Sequence, residues 1–228
     1  MLLRIPNVLS SDELTAIQQI IESADWKPGG MTAGTQSEKV KNNLQLPEDS
    51  PASISARQII INALGHHALF VSAALPKKTF PPLFNRYDGN TNCFGNHIDN
   101  AIRTSITTKA WVRTDLSITV FLSHPEDYEG GELVIDDLST GVQRIKLPAG
   151  EALLYPATSV HRVEPVTRGC RLASFFWIES MIRENEQRKL LFDMDMAIMT
   201  LRETEGDSPA IVQLTGCYHN LIRQWADS

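Results

Sequence analysis

Four residues in the middle of the chain have the types and the spacing needed to hold a metal ion and an organic acid. His97 and Asp99 are separated by one residue, His161 follows 62 residues after Asp99, and Arg171 comes ten residues later. In an extended strand, residues 97 and 99 lie on the same face and can approach one ion. Two histidines and one carboxylate on one face of an octahedron leave three positions open, which suits iron(II) oxygen chemistry.

The open positions indicate which second ligand such a site would take. A 2-oxo acid can occupy two of them through its C1 carboxylate and keto oxygen, and O2 can occupy the third. The distal carboxylate of 2-oxoglutarate would lie deeper in the fold, where the planar guanidinium of Arg171 can bind it through two parallel hydrogen bonds. An arginine on an inward face shared with Phe175 and Trp177 would be costly to bury without an anionic partner.

Each part of this pattern also has an ordinary structural interpretation. Isolated His-x-Asp triplets are common, a single histidine such as His161 is usually exposed or hydrogen-bonded, and Arg171 alone could be a salt-bridge partner. The order, the spacing and the β-strand context together favour a metal and co-substrate site. Two other interpretations stay open, namely a zinc hydrolase with the same ligands and a non-catalytic sensor that binds iron and 2-oxoglutarate.

Further side chains could contribute to the site. Tyr87 lies ten residues before His97, and its phenol could reach 2-oxoglutarate or the substrate, although a buried core tyrosine is an equal alternative. Asn100 could orient Asp99, but a turn cap is the favoured interpretation. The polar sequence at 41–43 could form a substrate-facing lid, because long polar loops in compact domains are often functional. A solvated loop is the alternative there.

The region from residue 80 to residue 178 must position these side chains, and its sequence pattern is typical of an all-β unit. Eight short β-rich runs separated by turn residues predict a β-sandwich or a jelly roll. Alternation is clearest in the last run, where Arg171, Ala173, Phe175 and Trp177 share one face.

Helical patterns flank this β-region on both sides. Ser10 and Glu13 have the spacing of a capping box in front of an apolar helix face. A second helix is predicted from Ser50-Pro51 to about residue 74, and the stretch at 27–50 between them is predicted to be irregular with one short strand. Two more amphipathic helices are predicted after residue 180.

Composition bounds the class of protein. The chain has 228 residues, of which 42% are apolar, so it can bury one sizeable core. Its net charge of −6 argues against a nucleic-acid or membrane-surface partner. No apolar run approaches the roughly 20 residues of a membrane span, and the N-terminus lacks the pattern of a secretory signal. Three cysteines without CxxC spacing disfavour a disulfide scaffold. We expect a cytoplasmic protein.

Several long segments resemble one known family. They are NRYDG…NHIDNAI, RTDLSITVFLSHPEDYEGGELVI, LPAGEALLYPATSVHRVEPVTRGCRLASFFWIESMIR and LLFDMDMAI. These segments closely resemble the bacterial PKHD-type hydroxylases, also called the iron-uptake-factor family, which are related to prolyl 4-hydroxylases. The resemblance covers nearly the whole chain, including GGMTAGTQSEKVKNN near the N-terminus. It implies a mixed α+β fold, with a double-stranded β-helix (jelly-roll) core between N-terminal helices and a C-terminal helical extension.

The resemblance also implies a ligand set and a reaction. Iron(II) would be bound by His97, Asp99 and His161, 2-oxoglutarate would be bound by Arg171, and L-ascorbate would be the reductant that restores oxidised iron. The substrate, a peptidyl proline or a small molecule such as a siderophore-related compound, is not fixed by the resemblance. A link to iron homeostasis is suggested by the family name alone.

The predicted organisation has three parts. Residues 1–79 form an N-terminal helical and loop region, residues 80–179 form the β-core that uses O2, iron(II) and 2-oxoglutarate, and residues 180–228 form the helical extension. The apolar stripes of the extension more often pack on their own core, and a homodimer contact through the C-terminal helices is the second choice.

Overall fold

The computed structural model describes residues 1–32, 37–137 and 141–227 and has a β-core between helical segments. The helices are α1 (Ser11–Glu22), α2 (Pro51–Gly65), α3 (Ala68–Ala74), α4 (Asn185–Glu205) and α5 (Pro209–Trp225), with 3-10 turns at Gly29–Thr32, Ser37–Val40 and Pro125–Asp127. The strands are β1 (Leu3–Ile5), β2 (Lys27–Pro28), β3 (Lys41–Asn42), β4 (Leu44–Gln45), β5 (Pro76–Thr79), β6 (Leu83–Tyr87), β7 (Cys93–His97), β8 (Ile102–Thr104), β9 (Trp111–Arg113), β10 (Leu116–Phe121), β11 (Tyr128–Gly130), β12 (Leu133–Asp137), β13 (Gly141–Ile145), β14 (Ala152–Pro156), β15 (Val160–Val163), β16 (Val166–Gly169) and β17 (Arg171–Ser180).

Two antiparallel sheets form the core. The larger sheet has the order β1-β14-β10-β17-β6-β4-β2, with β5 also paired to β17, and the smaller sheet has the order β13-β12-β15-β7-β3. Buried side chains of both sheets form one apolar cluster, in which Phe121 and Tyr155 of the larger sheet join Ile135 and Val163 of the smaller sheet. The predicted mixed α+β jelly roll with helical flanks is therefore confirmed.

The alternation of β10 shows how the sequence makes this arrangement. Leu116, Ile118 and Val120 belong to the apolar cluster that also contains the buried faces of α1 and α2. Ser117 and Thr119, on the opposite face, line an internal pocket. Because successive side chains of a strand point to opposite faces, one strand covers the helices with its apolar residues and presents hydroxyl groups to the pocket.

The helix starts follow their predicted caps. The N–H of Glu13 donates to Ser10 Oγ at 3.3 Å, and the N–H of Ser10 donates to the Glu13 carboxylate at 2.8 Å, which is a complete capping box. Ser50 and Ser208 cap α2 and α5 through their side chains alone, without the reciprocal bond, and each is followed by a proline in the first turn. The first turns of these three helices therefore have partners for backbone N–H groups that the helices leave unpaired.

Two local predictions differ from the structure. The helix predicted to extend to residue 74 is divided, because α2 ends at Gly65 and His67 has an extended backbone (φ −87°, ψ 103°) before α3 begins. Within the stretch at 27–50, the described residues contain three two-residue strands rather than one short strand. Each of these strands pairs with another segment of the chain, and such pairing decides a weak local signal.

The last two helices pack against their own chain. Leu191 and Ile198 of α4 and Ile211 and Tyr218 of α5 share an apolar cluster with Leu75 at the end of α3. In the part of the chain that the structure describes, no helix has the length and apolarity needed to cross a membrane.

Candidate active site

His97, Asp99 and His161 come together between the two sheets. His97 ends β7 and lies directly opposite His161 of β15 in the antiparallel ladder. Asp99 lies two residues beyond the end of β7, in the segment that follows the strand. The sequence pattern had predicted that Asp99 lies in the strand itself. Ligand atoms from the three side chains lie within 4.8 Å of one another, and His161 Nε2 is 3.7 Å from Asp99 Oδ2. Among the described residues, this is the one group of three side chains with metal-ligand geometry.

Both imidazoles have the tautomer that a metal requires. His97 Nδ1 is 2.8 Å from the carbonyl oxygen of Gly95, and His161 Nδ1 is 3.1 Å from that of Ser159. Because a carbonyl oxygen can only accept, each Nδ1 carries a proton and Nε2 is the ring atom left for a metal. Burial, followed by the neighbouring His161, lowers the pKa of His97 to about 4, so His97 is neutral near pH 7. Two imidazole Nε2 atoms and one carboxylate form a donor set that fits a divalent cation.

Asp99 is oriented by a serine of the opposite sheet. Ser117 Oγ donates a hydrogen bond of 2.6 Å to Asp99 Oδ2. Asn100 was considered for this role; its backbone carbonyl accepts from Thr114 Oγ1 at 2.8 Å, and the residue lines the pocket. Sequence reasoning missed Ser117, although the alternating hydroxyl residues Ser117 and Thr119 in an apolar strand were a usable signal.

Arg171 is a buried cation that forms no ion pair with any described residue. It begins β17, pairs with Tyr87 of β6 and is 1% exposed. Its Nε and Nη1 are buried, and no atom in the described part of the chain accepts a hydrogen bond from them. The guanidinium lies 5.3 Å from the ring centre of Tyr87 and 5.4 Å from that of Phe121. Since unsatisfied buried donors are costly, the position favours a bound carboxylate.

Tyr87 lies beside Arg171, in the core and in the wall of the pocket. It is 1% exposed and belongs to the apolar cluster between the sheets, and it also lines the pocket. Burial raises the pKa of its phenol to about 12, so the hydroxyl keeps its proton near pH 7. Asn85 Nδ2 approaches the phenol oxygen at 3.4 Å. Tyr87 is thus a neutral donor next to the guanidinium.

One pocket contains all five predicted residues. Its volume is about 60 Å³, which is room for roughly five water molecules. Tyr155, which the sequence reasoning did not select, lies in its wall with its ring centre 5.3 Å from that of His161. Burial raises the pKa of Tyr155, so this phenol is also protonated.

The segment at 41–43 contributes two of its three residues to the pocket. Lys41 and Asn43 line it, whereas Asn42 donates outside it to the carbonyl of Asn90 at 2.6 Å. β3 pairs with β7 of the smaller sheet, and β4 pairs with β6 of the larger sheet. We call residues 41–45 the crossing segment, because they connect the two sheets across the pocket.

Two further cations stand over aromatic rings of the pocket. Lys41 Nζ lies 5.3 Å from the ring centre of Phe94 and 5.7 Å from that of Phe175. The Arg103 guanidinium lies 4.4 Å from the ring centre of Trp177. Burial, followed by repulsion from Arg103, lowers the pKa of Lys41 to about 7. Lys41 belongs to the segment proposed from the sequence as a substrate-facing lid, whereas Arg103 was not selected from the sequence.

Comparison with known proteins places these features in a family. The model of the 2OG-Fe(II) oxygenase superfamily matches residues 82–179, and the model of the PKHD-type hydroxylase C-terminal domain matches residues 185–227. A PKHD-type hydroxylase from Saccharophagus degradans is 58% identical over 228 residues, which is 100% of both chains.

Solved structures with low sequence identity share the fold. A prolyl hydroxylase from Trichoplax adhaerens, in complex with a hypoxia inducible factor oxygen degradation domain peptide fragment, matches with a TM-score of 0.54 at 16% identity, over 83% of this chain and 86% of that one. HygX from Streptomyces hygroscopicus, with nickel, 2-oxoglutarate and hygromycin B bound, matches with a TM-score of 0.52 at 15% identity, over 78% and 82%.

Proposed function

Because the chain belongs to the PKHD-type hydroxylases and is thus a 2-oxoglutarate-dependent dioxygenase, we propose that it hydroxylates a C–H bond of a small-molecule or peptidyl substrate while 2-oxoglutarate is decarboxylated to succinate and CO2. The observation that carries the proposal is the pairing of a three-ligand metal cluster with the buried guanidinium of Arg171 in one pocket. A zinc hydrolase has no use for that guanidinium, and the family assignment argues against one.

His97, Asp99 and His161 are proposed as the iron(II) ligands. The protonated Nδ1 atoms of both histidines support this role because they direct Nε2 toward the metal position. The hydrogen bond from Ser117 to Oδ2 orients the carboxylate of Asp99, and the same Oδ2 lies 3.7 Å from His161 Nε2. Bound iron(II) supplies the activation of O2 that couples decarboxylation to hydroxylation.

Arg171 is proposed to bind the distal carboxylate of 2-oxoglutarate, with Tyr87 as an additional hydrogen-bond donor. Nε and Nη1 of Arg171 are available for two parallel charge-assisted hydrogen bonds. The rings of Tyr87 and Phe121 confine the guanidinium, so little side-chain entropy is lost when the carboxylate binds. The aromatic rings of Phe94 and Phe175 in the pocket wall exclude water from the reacting groups.

Three further parts of the proposal concern the reductant, the link to iron homeostasis and the location of the protein. L-ascorbate as the reductant of oxidised iron and a role in iron homeostasis are supported by the family resemblance alone. A cytoplasmic location is supported by three free cysteines, Cys93, Cys170 and Cys217, which suit a reducing compartment.

The domain division and the oligomeric state are also proposals. A β-core at 80–179 and a C-terminal extension at 180–228 are supported by the two family-model matches, and residues 1–79 are then the N-terminal region. A homodimer through the C-terminal helices is supported by exposed apolar residues on α5, where Val212 is 58% exposed and Leu214 is 38% exposed. Light scattering after size-exclusion chromatography measures the mass directly, and a monomer mass would contradict the dimer.

The experiment for the proposed function measures succinate. The purified chain with iron(II), ascorbate, O2 and 2-oxoglutarate should form succinate and CO2 in equal amounts. Anaerobic iron(II) and 2-oxoglutarate should also give the weak visible absorption band of their chelate. A band without succinate under aerobic conditions, with or without a cell extract as substrate source, would indicate a non-catalytic sensor instead.

A further inference from the structure

Asn43 is a buried amide in the wall of the active-site pocket. Its side chain is 3% exposed, and neither Nδ2 nor Oδ1 has a hydrogen bond of acceptable geometry to any residue that the structure describes. The amide lies close to the phenol of Tyr87, whose pKa is raised by burial and lowered in part by Arg171 and Asn43. Burying an amide without hydrogen bonds destabilises a folded chain, so its position in a pocket favours a bound ligand.

Asn43 lies in a row with Tyr87 and Arg171 across the larger sheet. The antiparallel register of β4 with β6, continued by one residue, brings Asn43 opposite Tyr87. On its other side, Tyr87 pairs with Arg171 of β17. All three side chains are buried, and all three line the pocket. Since neighbouring strands are about 4.8 Å apart, the three side chains can meet around one carboxylate.

Gly29 provides the space that the Asn43 amide occupies. A Cβ added to Gly29 would overlap Oδ1 of Asn43, so any other residue at position 29 would displace the amide. The N–H of Gly29 also donates to the backbone carbonyl of Asn43 at 2.8 Å. Because Oδ1 lies against Gly29, Nδ2 is the amide atom that remains for the pocket. The 3-10 turn that begins at Gly29 therefore holds Asn43 with a hydrogen-bond donor available to a ligand.

The donors of this row match the acceptor capacity of one carboxylate, which is about four hydrogen bonds. Nε and Nη1 of Arg171 are two such donors. The phenol oxygen of Tyr87 is approached by Asn85 Nδ2 at 3.4 Å, which leaves the O–H of Tyr87 as a third donor. Nδ2 of Asn43 is the fourth. A single bound carboxylate would thus give hydrogen-bond partners to buried donors that have none in the described part of the chain.

We propose that Asn43 binds the distal carboxylate of 2-oxoglutarate through Nδ2, together with Arg171 and Tyr87. The inference rests on the proposed function, which assigns that carboxylate to Arg171. Asn43 lies outside residues 82–179, the part of the chain that matches the 2OG-Fe(II) oxygenase superfamily. The crossing segment therefore contributes a residue that determines co-substrate affinity, in addition to connecting the two sheets.

The test replaces Asn43 by residues of similar size and different hydrogen-bonding capacity. The full chain is loaded with manganese(II) and titrated with 2-oxoglutarate without O2 in a calorimeter. Asn43→Leu removes the donor and should weaken 2-oxoglutarate binding about tenfold or more, because a hydrogen bond to a charged group is lost. Asn43→Asp is nearly isosteric and should bind 2-oxoglutarate more weakly still, because two carboxylates repel each other. Manganese(II) affinity should stay within about threefold of the parent in the leucine variant.

Thermal unfolding distinguishes a ligand contact from a structural one. Leucine replaces an amide that has no hydrogen bonds, so Asn43→Leu should leave the Tm of the ligand-free chain unchanged or raise it. An amide that stabilises the fold would give a lower Tm in the leucine variant. The control is Asn62→Leu, since Asn62 is an exposed amide on α2 that pairs with Gln58 and lies outside the pocket wall. This control should bind 2-oxoglutarate as the parent does.

Three results would overturn the proposal. The first is a 2-oxoglutarate affinity of Asn43→Leu within about threefold of the parent. The second is tighter binding by Asn43→Asp than by Asn43→Leu, which would indicate a structural amide or a hydrogen-bond donor on the ligand. The third is a loss of affinity in the leucine variant together with a lower Tm. If the parent itself does not bind 2-oxoglutarate, the proposed function fails, whereas normal binding by the parent restricts each of these failures to Asn43.

Discussion

Replacing Arg171 by methionine should change 2-oxoglutarate affinity and protein stability in opposite directions. The guanidinium is 1% exposed, and its Nε and Nη1 have no acceptor in the described part of the chain. Two charge-assisted hydrogen bonds to a carboxylate are worth about 3–5 kcal/mol together, which corresponds to a loss of roughly 10² to 10³·⁵ in 2-oxoglutarate affinity. Without 2-oxoglutarate, burial of the unpaired Arg171 guanidinium destabilises the folded protein.

The stability effect follows from that cost. Methionine fills much of the same space without a charge, so the ligand-free variant should be more stable than the parent by about 1 kcal/mol or more. For a chain of this length, that is an increase in Tm of roughly 2–4 °C. Added 2-oxoglutarate should raise the Tm of the manganese(II)-loaded parent and leave that of the variant nearly unchanged.

The measurements are titration calorimetry for manganese(II) and 2-oxoglutarate, and thermal unfolding with and without each ligand. Arg168→Met is the matched control, because Arg168 lies three residues away, is exposed and pairs with Glu129 at 2.8 Å. The control should bind 2-oxoglutarate normally. The assigned role of Arg171 is wrong if its variant binds 2-oxoglutarate within about threefold of the parent, or if the variant loses the metal while 2-oxoglutarate affinity stays intact.

Three other substitutions test separate parts of the structure. Asp99→Ala should abolish succinate formation, and parental levels of succinate in this variant would remove Asp99 from the ligand set. Ser117→Ala removes the hydrogen bond to Asp99 and should weaken manganese(II) binding about tenfold. Ser117→Thr should retain most of the affinity. Unchanged affinity in the alanine variant would show that the hydrogen bond does not orient Asp99. Glu48 is buried, which by itself raises its pKa, but hydrogen bonds from Ser105 and Thr107 outweigh the burial and lower it overall. A lowered folded-state pKa adds stability that is present above the unfolded pKa and is lost as the pH falls through the folded value. Glu48→Gln should therefore reduce the free energy of unfolding by about 1–3 kcal/mol at pH 7. Denaturant titrations should show a smaller difference between the variant and the parent below pH 4. A difference independent of pH would contradict a stabilising role of the ionised Glu48 carboxylate.

The metal ligands and the arginine proposed to bind 2-oxoglutarate could be predicted from the sequence because they lie in or next to predicted strands. His97 and His161 lie in strands whose existence the alternating pattern predicts, and Arg171 begins the most clearly alternating run. The strand assignment of Asp99 was wrong, since β7 ends at His97. Asp99 still joins the cluster because the chain beyond β7 keeps its carboxylate beside His161, with Oδ2 3.7 Å from Nε2.

Contacts between the two sheets could not be predicted from the sequence. The bond from Ser117 to Asp99 joins residues of different sheets, so it depends on how the sheets stack rather than on any local pattern. The crossing segment at 41–45 is similar, because its two-residue strands are too short to give a periodic signal. Lys41 and Arg103 become neighbours of the pocket only through this tertiary arrangement.

The bonds that fix the two imidazoles have a consequence for how this enzyme can evolve. Each Nδ1 is held by a carbonyl of its own strand or of the turn before it, two residues back. Substitution at position 159 keeps its carbonyl and therefore the tautomer of His161. Gly95 is more restricted, because a Cβ added there would lie 2.9 Å from Cβ of Val40. The residues proposed to bind 2-oxoglutarate have no such protection, because Arg171 and Tyr87 would act through their side chains. Substitutions can therefore change co-substrate binding more readily than they change the tautomer of His161.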